Sequence, residues 1–134
     1  MLHKIDHIGI AVKDLEKARH LFCDLFGLDP LGEETVETYE ARLASLKIGE
    51  TEIELLQGLS PTSPISRFIA KKGEGIQHIC FGVDDIESAL RKLKQEGVEL
   101  IDQEPQTVRD GRKVAFLRPQ GTHGVLIELV ERVR

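Results

Sequence analysis

The sequence predicts an α+β fold: two βαβββ modules paired edge to edge into an open cup-shaped mixed sheet. Three observations predict it. First, a strand-and-helix stretch occurs twice, as His7-Ile-Gly-Ile-Ala-Val-Lys-Asp-Leu-Glu-Lys-Ala18 and as His78-Ile-Cys-Phe-Gly-Val-Asp-Asp-Ile-Glu-Ser-Ala89. A repeat at this distance is a statement about architecture. Second, each copy is followed by several short alternating segments separated by turn residues. Third, neither half alone offers enough apolar surface for an independent core. The expectation is one domain over residues 1–134, with module one at about 4–72 and module two at about 73–132.

The first strand is predicted over 4–12. Its period of two puts Ile8, Ile10 and Val12 on a face suited to helix packing, and His7, Gly9 and Ala11 on the other. Asp14 fits the N-cap of a helix running to about residue 26, with Leu15, Ala18, Leu21, Phe22 and Leu25 at helical spacing. Gly27 fits the position just past its end. Strands follow at about 29–36, 39–48 and 51–57, the last two joined at Gly49-Glu50. In the third of these, Glu52, Glu54 and Leu56 share one face, and Ile53, Leu55 and Gln57 share the other.

Ser60-Pro61-Thr62-Ser63-Pro64-Ile65 reads as a loop in which Ser63 caps a short helix with Pro64 at its first position, ending by Lys72. Gly73 and Gly75 mark the break between modules. The second module opens with a strand at 76–83, with His78, Cys80 and Gly82 on one face and Ile79, Phe81 and Val83 on the other. Asp84 is expected to cap the next helix, with Glu87 completing a capping box. Ile86, Ala89, Leu90 and Leu93 form its stripe, and Gly97 ends it. Strands are expected near 98–101, 106–108, 113–118 and 124–131, with hairpin turns at Asp110-Gly111 and Gln120-Gly121.

Composition narrows the function classes. Hydrophobic content of 40% and charged content of 31% fit a folded domain, and no apolar run reaches the roughly 20 residues a membrane helix needs. The opening Met-Leu-His-Lys-Ile-Asp leaves no room for a signal peptide, so a cytoplasmic location is expected. Cys23 and Cys80 lack metal or redox spacing and read as small buried hydrophobes. A net charge of −5 argues against a nucleic-acid surface. An anionic small ligand would need local cations.

With the modules in register, His7 matches His78, and Glu54 in Ile53-Glu54-Leu55 matches Glu128 in Ile127-Glu128-Leu129. Pseudo-twofold pairing of the modules would bring the four into one hollow. Two imidazoles and two carboxylates suit a divalent transition metal with open positions, unlike the closed thiolate set of a structural zinc site. Gln57 lies on the opposite strand face from Glu54, which makes Glu54 the better ligand. A lone strand histidine is ordinarily a satisfied core residue; the coincidence at matching repeat positions carries the metal reading. His3, His20 and His123 read as surface histidines.

The chain resembles the vicinal-oxygen-chelate superfamily (the glyoxalase fold) and, within it, the methylmalonyl-CoA epimerases. The resemblance covers almost the whole chain. It rests on Ile5-Asp6-His7-Ile8-Gly9-Ile10-Ala11-Val12, Ile53-Glu54-Leu55-Leu56, Ser60-Pro61-Thr62-Ser63-Pro64-Ile65, Gly73-Glu74-Gly75-Ile76-Gln77-His78-Ile79, Val83-Asp84-Asp85-Ile86, Lys113-Val114-Ala115-Phe116-Leu117 and Gly124-Val125-Leu126-Ile127-Glu128-Leu129. It implies that His7, Glu54, His78 and Glu128 bind a divalent metal: cobalt, manganese, nickel or zinc. It implies epimerisation of (2R)- and (2S)-methylmalonyl-CoA, an acyl-CoA substrate, by a homodimer. The α-proton of that substrate lies between a thioester carbonyl and a carboxylate, and a metal chelating both oxygens would stabilise the developing enolate as a Lewis acid. Epimerisation needs proton removal on one face and return on the other, so two acid/base groups are expected.

The resemblance implies that one of these is Glu128, at the metal, and that the other stands on the third strand of the first module. The position of the other falls near Leu43, and the nearest carboxylate, Glu40, is the candidate. The chain departs from the family at Gln77, Arg118 and Gln120, which leaves the metal set whole and bears on the substrate-contacting residues. Arg67, Lys71 and Lys72, and the group Arg109, Arg112, Lys113 and Arg118, are the cations available to coenzyme A phosphates or to solvent. Lactoylglutathione lyase, a ring-cleaving dioxygenase and a non-catalytic binding or resistance protein are the alternatives on the same scaffold.

Overall fold

The first strand, β1 (Leu2–Ala11), contributes to two units of the fold. The structure is a computed structural model and describes residues 1–108 and 110–133. One unit spans His7–Gln77; the other joins Met1–Asp6 to His78–Arg134. The chain passes from one unit to the other twice, within β1 and again between Gln77 and His78.

In the His7–Gln77 unit the strand order is β2 (Asp29–Val36), β3 (Ala41–Ile48), β4 (Thr51–Gly58), then β1. The first two pairings are antiparallel and β4 runs parallel to β1. The alternation of β1 and β4 divides their side chains as the sequence predicts. Val12, Leu15, Ala44, Leu46 and Leu55 form one core with Ile10, Ala18 and Phe22 against it. On the other face Ala11, Ala41, Leu56 and Ile65 pack with Phe68 and Ile69 of α2 (Pro64–Lys72). Leu15, Leu46 and Leu55 are fully buried, each contributing on the order of 1.5–3 kcal/mol of transfer free energy.

The first helix differs from expectation. α1 (Leu15–Arg19) passes into a π-helical segment over His20–Leu25, where the Phe26 N–H donates to the Leu21 carbonyl. The wider turn rotates the apolar stripe. Phe22 and Cys23 reach the core, while Leu21 and Leu25 stay exposed, Leu25 at 65%. Asp14 caps as expected, its carboxylate accepting from the Lys17 N–H at 3.1 Å. The strand expected from residue 39 begins at Ala41, because Glu37–Tyr39 form a 3-10 turn and Glu40 takes a left-handed conformation with φ 47°.

In the other unit the opening residues of β1 are followed by β5 (Gly75–Val83), β8 (Ile127–Glu131), β7 (Lys113–Leu117) and β6 (Gln106–Thr107) in spatial order. β5 and β8 are parallel; the remaining described pairs are antiparallel. α3 (Ile86–Gln95) buries Ile86, Ala89 and Leu90 against Val83, Leu100, Ala115, Leu117 and Leu129, with Leu93 packed at the edge.

Three local expectations are corrected here. The cap of α3 is Asp85, whose carboxylate accepts from the Ser88 N–H at 3.1 Å; Asp84 instead faces His3 Nε2 at 3.5 Å. The repeat already marks the right residue, since Asp85 stands where Asp14 stands in the first copy. Glu87 accordingly makes no capping box and pairs with Lys113 at 3.0 Å. The strand expected at 98–101 reduces to one bridge, Leu100 to Leu117. Gln120-Gly121 lies in a 3-10 turn, Pro119–Gly121, so β8 starts at Ile127 and not at 124. Cys80 is buried and Cys23 partly so, both as free thiols. No helix among the described residues is long and apolar enough to cross a membrane.

Candidate active site and metal centre

Each unit presents one histidine–glutamate pair, built the same way. β1 and β4 run parallel with Gly9 opposite Glu54; β5 and β8 run parallel with Cys80 opposite Glu128. In both, the glutamate stands across from the residue two beyond the histidine, so strand alternation puts the two side chains on one face. His7 Nε2 lies 3.4 Å from Glu54 Oε1, and His78 Nε2 lies 3.3 Å from Glu128 Oε1. His7, His78 and Glu128 are buried, and the Glu54 side chain is only 13% exposed. Phe116, opposite Glu128 in the β7–β8 ladder, presents its ring to His78 with centroids 6.1 Å apart and planes at 70°.

These separations suit metal coordination. Two donors each about 2.1 Å from one ion stand about 3.0 Å apart at a right angle and about 3.4 Å apart at a tetrahedral angle. A buried carboxylate beside a buried imidazole is also an acid/base pair in its own right, and the two descriptions use the same atoms.

Gln57 is placed on the opposite face from Glu54, as its strand phase requires. It is not idle there: its Oε1 accepts a 2.7 Å hydrogen bond from the backbone N–H of Leu15. Glu131 does the same for Ile86 at 2.9 Å. Both interactions were hidden in the sequence, although Gln57 and Glu131 each follow their glutamate by the same interval.

Glu40 sits away from regular strand. Its carboxylate accepts from Ser60 Oγ at 2.7 Å and from Thr62 Oγ1 at 2.9 and 3.1 Å. Those hydroxyl donors, Ser60 first, hold its pKa below the usual carboxylate value, with the charge of Arg67 helping. Ser63 Oγ donates to the Tyr39 carbonyl at 2.8 Å, and the Leu59 N–H donates to the Glu40 carbonyl at 2.7 Å. Glu40 and the serine–proline loop are thus laced together.

His3 is half exposed, His20 lies 2.9 Å from Asp24, and His123 is an exposed residue with φ 60°. Among the cations, Arg112 pairs with Asp110 at 2.8 Å and Lys113 with Glu87; the Lys113 pKa is raised by that hydrogen bond and by the Glu87 charge. Lys72 Nζ lies 5.9 Å over the Phe68 ring. Arg109 lies outside the described residues.

A family profile described as the Glyoxalase/Bleomycin resistance protein/Dioxygenase superfamily matches residues 6–116. The chain belongs to this superfamily. Its α+β glyoxalase fold accords with the repeated modules. Among relatives of this glyoxalase-superfamily chain, the mitochondrial methylmalonyl-CoA epimerase of Dictyostelium discoideum is 38% identical over 132 residues, covering 96% of this chain and 78% of that protein. The ethylmalonyl-CoA/methylmalonyl-CoA epimerase of Cereibacter sphaeroides is 34% identical over 131 residues, covering 96% and 98%. A solved methylmalonyl-CoA epimerase in complex with methylmalonyl-CoA and ammonium superposes with a TM-score of 0.91 at 34% identity, covering 99% of this chain and 96% of that one.

Proposed function

We propose that the protein is a metal-dependent methylmalonyl-CoA epimerase. The observation that carries this is the pair of matched His–Glu constellations, His7–Glu54 and His78–Glu128, in a chain whose near full-length relatives are named for that activity. On this reading the four side chains hold one divalent ion, of which cobalt, manganese, nickel and zinc all suit the donor set. When bound, such an ion would supply Lewis-acid stabilisation of the negative charge that develops beside the thioester as the α-proton leaves.

The chain's own residues do the rest. His7 and His78 would hold the ion through Nε2, the atom each turns to its glutamate. Burial of both pairs excludes competing water and strengthens their electrostatics. Glu128 is one acid/base group: its carboxylate takes the α-proton from one face of the substrate carbon or returns it there. Phe116 limits the space around the His78 ring.

The sequence assigns the second acid/base role to Glu40. Its surroundings favour a different task. Two hydroxyls occupy its oxygens and lower its pKa, which weakens a carboxylate as a base. That arrangement supports Glu40 as the anchor of the Ser60–Pro64 loop. Arg67, Lys71, Lys72 and Arg118 are among the cations available to an acyl-CoA, whereas Arg112 and Lys113 already have carboxylate partners. A homodimer and a cytoplasmic location are proposed on the resemblance and the composition.

Elemental analysis of His78→Ala tests the ligand set. The variant is expected to lose its metal on dialysis, and undiminished metal content removes His78 from the set. Isomerisation of the methylglyoxal–glutathione hemithioacetal, with methylmalonyl-CoA left untouched, would reassign the protein to the lactoylglutathione lyases.

A further inference from the structure

Parallel strands lack the tight hairpin that sets register between antiparallel neighbours. β1 and β4 are separated in sequence by a helix and two strands, and β5 and β8 by a comparable length of chain. Yet both pairs have the same register, with the glutamate opposite the residue two beyond the histidine. A slip of one residue would send Glu54 or Glu128 to the opposite face. Something other than a turn must hold each register.

The structure supplies the same device twice. Leu15 and Ile86 are the first residues of the helices that follow the two histidine strands, and both are fully buried. Their N–H groups belong to the first helical turn, which has no partner inside the helix. Gln57 accepts from Leu15 at 2.7 Å and Glu131 from Ile86 at 2.9 Å. Gln57 and Glu131 lie on the glutamate strands, three residues past Glu54 and Glu128. Each bond therefore ties the end of a glutamate strand to the helix that continues the neighbouring histidine strand. An amide serves in one unit and a carboxylate in the other, so the shared requirement is an oxygen acceptor and not a charge.

We propose that Gln57 and Glu131 are positioning residues that fix the register of the His7–Glu54 and His78–Glu128 pairs, and hence the affinity of the site for its ion. They touch neither ion nor substrate. The inference rests on the metal reading above.

The test uses cobalt(II) with the full-length protein, read by equilibrium dialysis and by the visible spectrum of the bound ion, beside thermal unfolding of the metal-free chain. Gln57→Leu and Glu131→Leu are expected to weaken cobalt binding at least tenfold, in the range of roughly 10–100-fold seen for groups that orient ligands, and to alter the spectrum. Gln57→Glu and Glu131→Gln, which keep an oxygen acceptor, are expected to restore wild-type affinity and spectrum. A merely structural role would lower the unfolding temperature without the spectral change and without rescue of affinity. Should a leucine variant fail to fold, Gln57→Ser and Glu131→Ser, too short to span the bond, take its place with the same expectation. Unchanged cobalt affinity and spectrum in folded acceptor-less variants overturn the proposal while leaving the metal site intact. A wild-type chain that binds no cobalt overturns the metal reading, and the positioning role with it.

Discussion

Gln57 and Glu54 lie on opposite faces of one strand and serve different neighbours: Glu54 Oε1 stands 3.4 Å from His7 Nε2, while Gln57 Oε1 accepts from the Leu15 N–H. The same division recurs with Glu128 and Glu131. One face of each glutamate strand thus carries the His–Glu pair and the other carries the acceptor for a helix N-terminal N–H.

The two aspartates before α3 have separate roles, and substitution should separate them. Asp85→Ala removes the side-chain acceptor at the helix N-terminus and should cost about 1 kcal/mol of stability. Asp84→Ala removes an exposed contact with His3 and leaves the Asp85 cap in place, and should cost less than about 0.5 kcal/mol. Urea denaturation of both variants measures the difference; equal losses would restore Asp84 to the cap.

Gly58 ends β4 where α2 begins to pack. A Cβ there would run into Ser66 Oγ and come within 3.1 Å of both the Ser66 nitrogen and Ser63 Oγ, the latter on a fully buried side chain. Gly58→Ala should therefore destabilise by about 1–3 kcal/mol, the usual cost of overpacking. Thermal unfolding at constant pH measures it, and a neutral result would show that the serine–proline loop yields freely.

Arg132 donates two hydrogen bonds to the buried carboxylate of Asp6, from Nε at 2.6 Å and Nη2 at 2.8 Å. Arg132 itself is 43% exposed, so solvent screens its share of the charge interaction. Arg132→Ala should cost about 1–3 kcal/mol, and Arg132→Lys should recover only part of that because the forked geometry is lost. Urea denaturation of the two variants at neutral pH measures both effects.

Glu40 should titrate below the ordinary carboxylate value of about 4.3, because Ser60 and Thr62 donate to its charged form. A group with a lowered folded-state pKa adds stability above its unfolded value and loses it as pH falls through the folded value. The loop clasp should therefore persist at mildly acidic pH and open only below the usual carboxylate range, a transition visible in carboxyl-carbon NMR. With Glu40 as an anchor, Glu40→Gln should keep turnover within about threefold of wild type. A fall of two or more powers of ten with metal retained would make Glu40 the second acid/base group.

The parts legible in the sequence are those governed by alternation. The placing of His7 beside Glu54 and of His78 beside Glu128, with Gln57 on the opposite face, follows from period-two strands, and strand phase survives small errors in where a strand begins. The π-helical segment at His20–Leu25 was not legible, because one extra residue per turn leaves the apolar count unchanged while rotating Leu21 and Leu25 outward. Asp84 and Asp85 both suit the cap by residue type, and alignment of Asp85 with Asp14 distinguishes them. The Asp6–Arg132 pair joins opposite ends of the chain and has no local signature. Nor has the left-handed backbone at Glu40, which takes that residue out of the start of the strand expected over 39–48.

On the proposed function, the protein removes and returns the α-proton of methylmalonyl-CoA with the help of a divalent ion and Glu128. The most direct test of this is solvent-deuterium exchange at the α-carbon, followed by NMR with cobalt-loaded wild type, metal-stripped wild type and loaded Glu128→Gln. Exchange should be rapid in the first, return on adding metal to the second, and fall at least a hundredfold in the third. Tight binding of methylmalonyl-CoA by loaded wild type with no deuterium incorporated would contradict the account and make the chain a binding protein on the same fold.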